Sequence, residues 1–339
     1  FYFTHKKIHW IMASKCSIMA CLVSLILIGL IMESNAGGSS LVNGFYQTTC
    51  PQAERIVRET TWKLALKNPA LAAKLLRMQF HDCFVRGCDG SVLLDAVGGV
   101  AAEKDAVPNQ SLSGFDEIDQ IKTQIELACP NTVSCADILA LAARDAVSFP
   151  SRTSQWVVLT GRRDGSVSLA SDTDGNIPSP FSEFSTLLQI FTNKGLNAND
   201  LVVLSGAHTL GVARCGTFSN RLYNFTGKGD ADPSLNPSYA TSLKTKCPNP
   251  APTTTTVEMD PLSSRFFDTH YFSNLLLNKG LLTSDATLLS DPNSAATVRR
   301  LLFSRFFSSQ FATSMGKMGA IGVLTGTDGQ IRKNCRVIN

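Results

Sequence analysis

An arginine and a histidine stand four residues apart in the segment Leu76–Cys83. On a helix, this spacing places Arg77 and His81 on the same face. A guanidinium is always charged, whereas an imidazole titrates near neutral pH. Such a pair suits cleavage of a peroxide, because the imidazole can move a proton between the oxygens while the guanidinium stabilises charge on the departing one. Taken alone, the spacing is also typical of a structural pair on a protein surface.

A second histidine, His208, lies in the segment Leu204–Gly211, which reads Leu-Ser-Gly-Ala-His-Thr-Leu-Gly. The pattern predicts a histidine at the end of a short helix, with small neighbours that let a flat cofactor approach closely. Haem iron takes such a histidine as its axial ligand. A lone histidine is also commonly a hydrogen-bonded residue of the core, so this segment alone leaves both interpretations open.

Oxygen-bearing residues cluster directly after His81. Asp82, Asp89 and Ser91 offer side-chain oxygens, and Val85 and Gly87 could turn their carbonyl groups inward. Hard oxygen ligands in a tight loop that contains glycine suit Ca²⁺. The spacing is not that of an EF-hand, and an ordinary turn of Asp and Gly residues is the alternative.

The composition bounds the class of protein. The chain has 339 residues, of which 44% are hydrophobic and 17% charged, as expected of a globular protein. The net charge is +4, but no cluster of Lys and Arg with interleaved aromatic residues indicates nucleic-acid binding. A mild positive charge would suit weak attraction to an acidic polymer such as a cell wall, although a weakly basic protein needs no such partner.

The first 36 residues are predicted to be a leader rather than part of the fold. Three lysines precede an apolar run, Ile18–Met32, and small residues then end at Ala36. This is the layout of a secretory signal cleaved after Ala36, and the run is short for a membrane span. Met12 is a better start than Phe1, so residues 1–11 are expected to be leader sequence. The sequence thus predicts a leader and signal at 1–36 and one domain at 37–339.

Eight cysteines follow the predicted signal. They are Cys50, Cys83, Cys88, Cys129, Cys135, Cys215, Cys247 and Cys335. An even number behind a secretory signal predicts four disulfides in an oxidising compartment. Proximity supports only Cys83–Cys88, as a tight local loop that would preform the oxygen cluster. The other pairings stay open, as does the alternative that some cysteines are free and buried.

Helical patterns dominate the mature chain and predict a mainly α fold. Helices are predicted at 51–66, 69–83, 115–128, from Ser134 as a cap onward, at 182–194, from Asn199 or Asp200 towards His208, at 265–278 and at 294–315. The best strand pattern is Trp156–Leu159. These elements must position the two histidines.

Together the segments closely resemble the class III secretory plant peroxidases of the haem peroxidase superfamily. Arg-x-x-Phe-His-Asp-Cys-Phe-Val-x-Gly-Cys-Asp and Leu-Ser-Gly-Ala-His-Thr are similar to the distal and proximal signatures of that family. Val133–Ile138, Leu159–Asp164 and Gly329–Val337 also match, and the resemblance runs from about Phe45 to Asn339. It implies a mainly α, two-lobed haem peroxidase fold, with haem b between distal and proximal halves.

The resemblance also implies the reaction, that of a donor:hydrogen-peroxide oxidoreductase. Peroxide would oxidise ferric haem by two electrons and leave as water, and two phenolic donors would return one electron each. Arg77 resembles the residue that stabilises the transition state, and His81 the acid/base. Asn109 is similar to the residue that accepts a hydrogen bond from His81 and fixes its tautomer. An asparagine so placed would be buried, so the sequon at Asn109 is expected to be unused, whereas that at Asn224 is a candidate for glycosylation.

On the proximal side, His208 resembles the iron ligand and Asp285 its hydrogen-bond partner, which would raise the basicity of the ligand. Phe80 is expected beside the cofactor, and Pro178 resembles the residue at the exposed haem edge where aromatic donors dock.

The family binds two Ca²⁺ ions and has a fixed set of disulfides. The distal calcium set maps onto Asp82, Val85, Gly87, Asp89 and Ser91, with Glu103 behind a water. The proximal set maps onto Thr209, Asp260, Ser263, Phe266 through its carbonyl, and Asp268. The implied disulfides are Cys50–Cys129, Cys83–Cys88, Cys135–Cys335 and Cys215–Cys247. Because Thr209 directly follows His208, calcium loss is expected to disturb the haem.

The sequence therefore predicts a secreted, monomeric enzyme of the apoplast or cell wall, with no nucleic-acid partner and no membrane span in the mature form. Two rival hypotheses come from other classes. A haem-binding protein without turnover would need His208 but not the distal residues Arg77, His81 and Asn109. A structural wall-binding protein would give no reason for Asp285 to match. The physiological donor is left open by the sequence.

Overall fold

Helices are the main secondary structure of the protein. The computed structural model describes residues 41–250 and 252–339, so the predicted signal at 1–36 lies outside the described residues. The α-helices are α1 (Ala53–Lys67), α2 (Leu71–Val85), α3 (Phe115–Ala128), α4 (Cys135–Ser148), α5 (Phe184–Asn193), α6 (Ala198–Ser205), α7 (Ser219–Tyr223), α8 (Pro237–Lys246), α9 (His270–Leu276), α10 (Thr283–Ala286), α11 (Pro292–Arg300) and α12 (Ser304–Met318). Strands β1 (Val212–Arg214) and β2 (Thr256–Glu258) pair antiparallel, with Ala213 opposite Val257. The predicted mainly α fold is confirmed.

The first helices pack around α4, which is buried along its whole length. Its sequence, Cys-Ala-Asp-Ile-Leu-Ala-Leu-Ala-Ala-Arg-Asp-Ala-Val-Ser, is apolar on nearly every side, and such a helix lies inside a core. Both α1 and α2 pack against α4, and α3 packs against α1. As predicted, Ser134 caps α4, since its Oγ accepts a hydrogen bond from the Asp137 N–H at 3.1 Å. This core fixes α2, the helix that carries Arg77 and His81.

Three segments that resemble family motifs, Val133–Ile138, Leu159–Asp164 and Gly329–Val337, meet at the first turn of α4. The buried Asp164 carboxylate accepts hydrogen bonds from the backbone N–H groups of Cys135, Ala136 and Arg332, at 3.1, 2.9 and 2.9 Å. The Arg162 guanidinium donates to the Asp137 carboxylate at 2.7 Å. These motifs therefore satisfy the free N–H groups of a buried helix end and hold the fold together.

Four disulfides tie the helices to one another, as expected for the fold. They join Cys50 to Cys129, Cys83 to Cys88, Cys135 to Cys335 and Cys215 to Cys247. The pairs are the same as those implied by the resemblance. The bond between Cys135 and Cys335 closes the longest stretch, 200 residues, and fixes the C-terminal segment to the start of α4.

Three predicted elements differ from the structure. The helix predicted at 265–278 is only α9, because the preceding residues turn around Thr209, where oxygen atoms crowd together. The pattern at 294–315 is split into α11 and α12 by a turn. Residues 156–159 alternate buried and exposed as a strand would, yet they form no strand. Only the next residue, Thr160, pairs with another segment, through a single bridge to Val42.

Candidate active site

The distal residues lie on α2 and on the loop that faces it. Arg77 and His81 are one turn apart, as their spacing predicts, and His81 is 4% exposed. The Arg77 guanidinium donates to the Ser111 hydroxyl at 3.0 Å and to the Pro108 carbonyl at 2.8 Å. Both acceptors are neutral, so neither compensates the positive charge.

Asn109 lies between His81 and the chain at Glu103. Its Oδ1 is 2.5 Å from Nδ1 of His81, and its Nδ2 donates to the Glu103 carbonyl at 2.8 Å. Because that second bond fixes the orientation of the amide, its oxygen must accept, and Nδ1 of His81 must carry the proton. The lone pair of the imidazole is then on Nε2. Asn109 is 1% exposed, so its sequon is buried, whereas Asn224 is exposed on a loop.

The electrostatics of the distal pair follow from burial. Burial, with help from the charge of Arg77, lowers the pKa of His81 to about 3, so the imidazole is neutral at neutral pH. Burial and the nearby charge of Arg214 lower the pKa of Arg77 to about 10, which leaves the guanidinium charged. A neutral base beside a fixed cation is the combination that peroxide cleavage needs.

The proximal histidine follows a short, well-capped helix. Asn197 and Asp200 form a capping box at the start of α6, so the helix begins at Ala198, slightly earlier than predicted. A single turn of 3₁₀-helix, Gly206–Thr209, then carries His208. Its ring is 38% exposed, although the neighbouring Thr209 is fully buried. The ring therefore faces open space beside a packed core.

The carboxylate of Asp285 holds His208. Asp285 Oδ1 is 2.7 Å from Nδ1 of His208 and accepts from the Tyr271 hydroxyl at 2.9 Å, while Oδ2 accepts from the Leu282 N–H at 2.9 Å. Burial alone would raise the pKa of Asp285, but its electrostatic interaction with His208 and these hydrogen bonds lower it below its usual value. The carboxylate therefore stays ionised although it is 1% exposed.

Gly206, two residues before His208, lies against aromatic side chains of the core. A Cβ atom on Gly206 would lie 2.6 Å from the Phe307 ring and 2.8 Å from the Phe272 ring. At Gly211, where φ is +89°, a Cβ atom would lie 2.7 Å from the Cβ of Ala73. Ala73 is one turn before Arg77 on α2, so the segment that follows His208 reaches the distal helix.

The predicted distal calcium residues surround a buried group of oxygens. Asp82 and Asp89 are almost fully buried, and Glu103 is fully so. The Ser91 hydroxyl and both Glu103 carboxylate oxygens lack a well-formed hydrogen-bond partner among the described residues. Burial raises the pKa of Glu103 to about 8, and burial with the charges of Asp89 and Glu103 raises that of Asp82. Val85 and Gly87 lie in the same segment, at the end of α2.

The predicted proximal calcium residues also crowd oxygen atoms. The Thr209 hydroxyl lies 2.8 Å from Asp260 Oδ2, 3.1 Å from Asp268 Oδ1 and 3.3 Å from the Phe266 carbonyl. One hydroxyl proton can serve only one of these acceptors. The Ser263 hydroxyl contacts the other oxygen of Asp268. Among the described residues, no three His, Cys, Asp or Glu side chains converge on one metal position, and this cluster has only two carboxylates.

Phe80 and Pro178 are the two remaining predicted residues, and only Phe80 contacts a histidine ring in the structure. The half-buried Phe80 ring is 5.4 Å from the His81 ring. Pro178 is half-buried, and two residues later the Pro180 carbonyl accepts a hydrogen bond from the Ser284 N–H at 3.0 Å, next to Asp285. A cavity of about 320 Å³ is lined by residues at the start of α5, at the end of α9 and on α10, the helix that carries Asp285, but none of the predicted residues lines it.

Sequence reasoning did not identify Tyr271 or Arg214. Tyr271 shares Asp285 with His208 across 14 residues of chain, and Arg214 acts on Arg77 from β1. Neither pairing has a local spacing that could have predicted it.

Comparison with known proteins assigns the chain to a family. The family model described as peroxidase matches residues 57–304. Peroxidase 24 of Arabidopsis thaliana is 55% identical over 304 residues, which cover 87% of this chain and 86% of that protein. Peroxidase 1 of the same plant is 52% identical, covering 87% and 91%, and Peroxidase 39 is 48% identical, covering 95% and 98%. The chain therefore belongs to the peroxidase family, among the class III plant peroxidases, and is an oxidoreductase.

Proposed function

We propose that this peroxidase binds one haem b through His208 and reduces hydrogen peroxide to water with His81 and Arg77, while it oxidises phenolic donors by one-electron steps. The observation that carries the proposal is that His81 and His208 are each held through Nδ1, at 2.5 and 2.7 Å from a side-chain oxygen. Each imidazole therefore presents Nε2 to its surroundings.

The proximal residues fit a haem. The His208 ring is half-exposed, and Asp285 occupies its Nδ1, so Nε2 is available as an iron ligand. A bound haem would supply an iron centre that peroxide can oxidise by two electrons and that donors can reduce by one electron at a time. Phe80, beside His81, is the residue we place against it.

The distal residues would handle the protons of peroxide. His81 is neutral, with its lone pair on Nε2, and can take the proton from the nearer peroxide oxygen and deliver it to the farther one. Arg77 keeps its charge and stabilises the departing oxygen until it leaves as water. Asn109 holds His81 in the tautomer that makes this transfer possible.

Two Ca²⁺ ions fit the crowded oxygens described above. On the distal side, the cation would be bound by Asp82, Val85, Gly87, Asp89 and Ser91, with Glu103 behind a water. On the proximal side, it would be bound by Thr209, Asp260, Ser263, Phe266 and Asp268. Each cation would offset the charge of the buried carboxylates, and oxygen atoms of this kind are the ligands that Ca²⁺ takes.

We further propose a mature domain at 37–339 that is secreted to the apoplast or cell wall, works as a monomer and carries a glycan on the exposed Asn224. Its weak positive charge would attract acidic wall polymers. Within residues 41–250 and 252–339, no helix has the length and hydropathy needed to cross a membrane. Small phenols would dock near Pro178.

The test is the visible spectrum of the calcium-loaded protein reconstituted with haem, before and after one equivalent of hydrogen peroxide. We expect a Soret band that weakens and shifts with peroxide and recovers when guaiacol is added. In His208→Ala, the band should lose the features of histidine ligation. A Soret band that ignores peroxide would support a haem-binding protein without turnover, and no band from folded protein would support a structural one.

A further inference from the structure

We propose that Tyr271 is a positioning residue that tunes His208 by sharing its carboxylate partner. Its hydroxyl would compete with the imidazole for Asp285 and so limit how strongly the carboxylate draws the Nδ1 proton. The inference rests on the proposed role of His208 as the iron ligand. It assigns to Tyr271 a control of the iron reduction potential.

The contact is direct and buried. The Tyr271 hydroxyl donates to Asp285 Oδ1 at 2.9 Å, and His208 Nδ1 is 2.7 Å from the same oxygen. The other oxygen, Oδ2, is already bound by the Leu282 N–H at 2.9 Å. Two side chains therefore divide the electron density of one carboxylate oxygen.

The tyrosine is held in place for this role. Tyr271 lies in the first turn of α9 and is 2% exposed. Its ring packs edge-on against the His208 ring, with centroids 5.9 Å apart, and against Phe272 at 5.2 Å. Burial and the charge of Asp285 raise the pKa of Tyr271 well above its usual value, so the hydroxyl remains a proton donor. Because Tyr271 and Asp285 are almost fully buried, neither can exchange this hydrogen bond for one to bulk water.

The consequence for the iron ligand follows from hydrogen-bond competition. A carboxylate oxygen that accepts two donors binds each one less strongly than an oxygen that serves one. If the Tyr271 hydroxyl is removed, Asp285 should accept a stronger bond from His208. The imidazole then gains anionic character, which makes it a stronger ligand and favours ferric over ferrous iron.

The experiment is a spectroelectrochemical titration of the haem-loaded Tyr271→Phe protein. We expect the Fe(III)/Fe(II) midpoint potential to fall. The equilibrium ratio of ferric to ferrous iron should rise on the order of tenfold, which corresponds to about 59 mV for one electron. The iron–histidine stretching frequency of the ferrous protein should rise, because the bond strengthens. In an Asp285→Asn background, Tyr271→Phe should no longer shift the potential.

Tyr46→Phe is the matched control. Tyr46 is also a buried tyrosine whose hydroxyl donates to an aspartate, Asp137 Oδ2, at 2.7 Å. Its loss should lower the thermal stability of the protein as much as the loss of the Tyr271 hydroxyl, yet leave the potential unchanged. A shift of equal size in Tyr46→Phe would mean that the effect is a general loosening of the fold, and would overturn the proposal.

A second variant keeps the ring intact. Site-specific 3-fluorotyrosine at position 271 has a more acidic hydroxyl, so it should donate more strongly and raise the potential. This variant decides the matter if Tyr271→Phe fails to fold. An unchanged potential in a protein whose spectra show histidine ligation would overturn the role of Tyr271 alone. Absence of an iron–histidine band in the unmodified protein would overturn the proposed function itself, and this inference with it.

Discussion

The distal and proximal histidines are held in the same way by partners of different charge. Nδ1 of His81 lies 2.5 Å from a neutral amide oxygen, that of Asn109, and Nδ1 of His208 lies 2.7 Å from a carboxylate oxygen, that of Asp285. An amide fixes the tautomer without drawing the proton strongly, which leaves a neutral imidazole as a base. A carboxylate draws the proton and makes the imidazole a better electron donor. Under the proposed function, one contact geometry would suit a proton carrier or a metal ligand according to the charge of the acceptor.

Burial separates the two histidines further. His81 is 4% exposed and stands next to a cation, whereas the ring of His208 is 38% exposed and stands next to an anion. Desolvation and Arg77 both disfavour a charged imidazole on the distal side. Two independent features, the charge of the acceptor and the local field, therefore separate the two histidines, and the proposed function gives them opposite roles.

The largest expected effect tests the distal role. His81→Ala should lower the rate constant for reaction with hydrogen peroxide on the order of 10³-fold, because it removes the proposed base. The haem should stay bound, since His208 is untouched. Stopped-flow measurement of the Soret change gives the rate. A variant that reacts at the unmodified rate would show that His81 is not the base.

Arg77→Leu should follow with a smaller loss, on the order of 10²-fold, because the cation stabilises charge but moves no proton. Arg214→Gln is the matched control, since Arg214 is a second cation close enough to affect Arg77 but lies on the exposed strand β1. It should leave the peroxide reaction nearly unchanged in the same stopped-flow assay. Equal losses in the two variants would point to the overall positive field rather than to Arg77.

The sequence predicted the distal half more completely than the proximal half. Arg77 and His81 share one helix, and helical spacing alone places them on one face. His208, Tyr271 and Asp285 come together from three elements, and the hydrogen bond between His208 and Asp285 spans 77 residues. Only resemblance to a family could join them. The helix predicted at 265–278 was wrong for a related reason. The chain before α9 turns so that Asp268 contacts the Thr209 hydroxyl, and this tertiary contact overrides local helical propensity.

Calcium removal should weaken the two halves by different routes. At free calcium one hundred times its dissociation constant, each proposed ion would add about 2.7 kcal/mol to the free energy of unfolding, and a chelator would remove that contribution. Loss of the distal ion should disturb Glu103, whose carbonyl holds Asn109, and loss of the proximal ion should disturb Thr209, next to His208. Calorimetry with EGTA should show a lower Tm, together with a changed Soret band. Added Ca²⁺ should restore both, and Mg²⁺ should not, because it requires a smaller octahedral site.

The smallest effects come from the two acceptors, and they test the comparison most sharply. Asn109→Ala should slow the peroxide reaction about tenfold, since His81 loses the bond that fixes its tautomer, and should leave the iron potential unchanged. Asp285→Asn should do the reverse. It replaces the charged acceptor by a neutral one. The equilibrium ratio of ferrous to ferric iron should therefore rise about tenfold, and the midpoint potential should rise with it. If Asn109→Ala shifted the potential as much as Asp285→Asn does, acceptor charge would not be what separates the two histidines. Burial and neighbouring charges would then carry the whole difference.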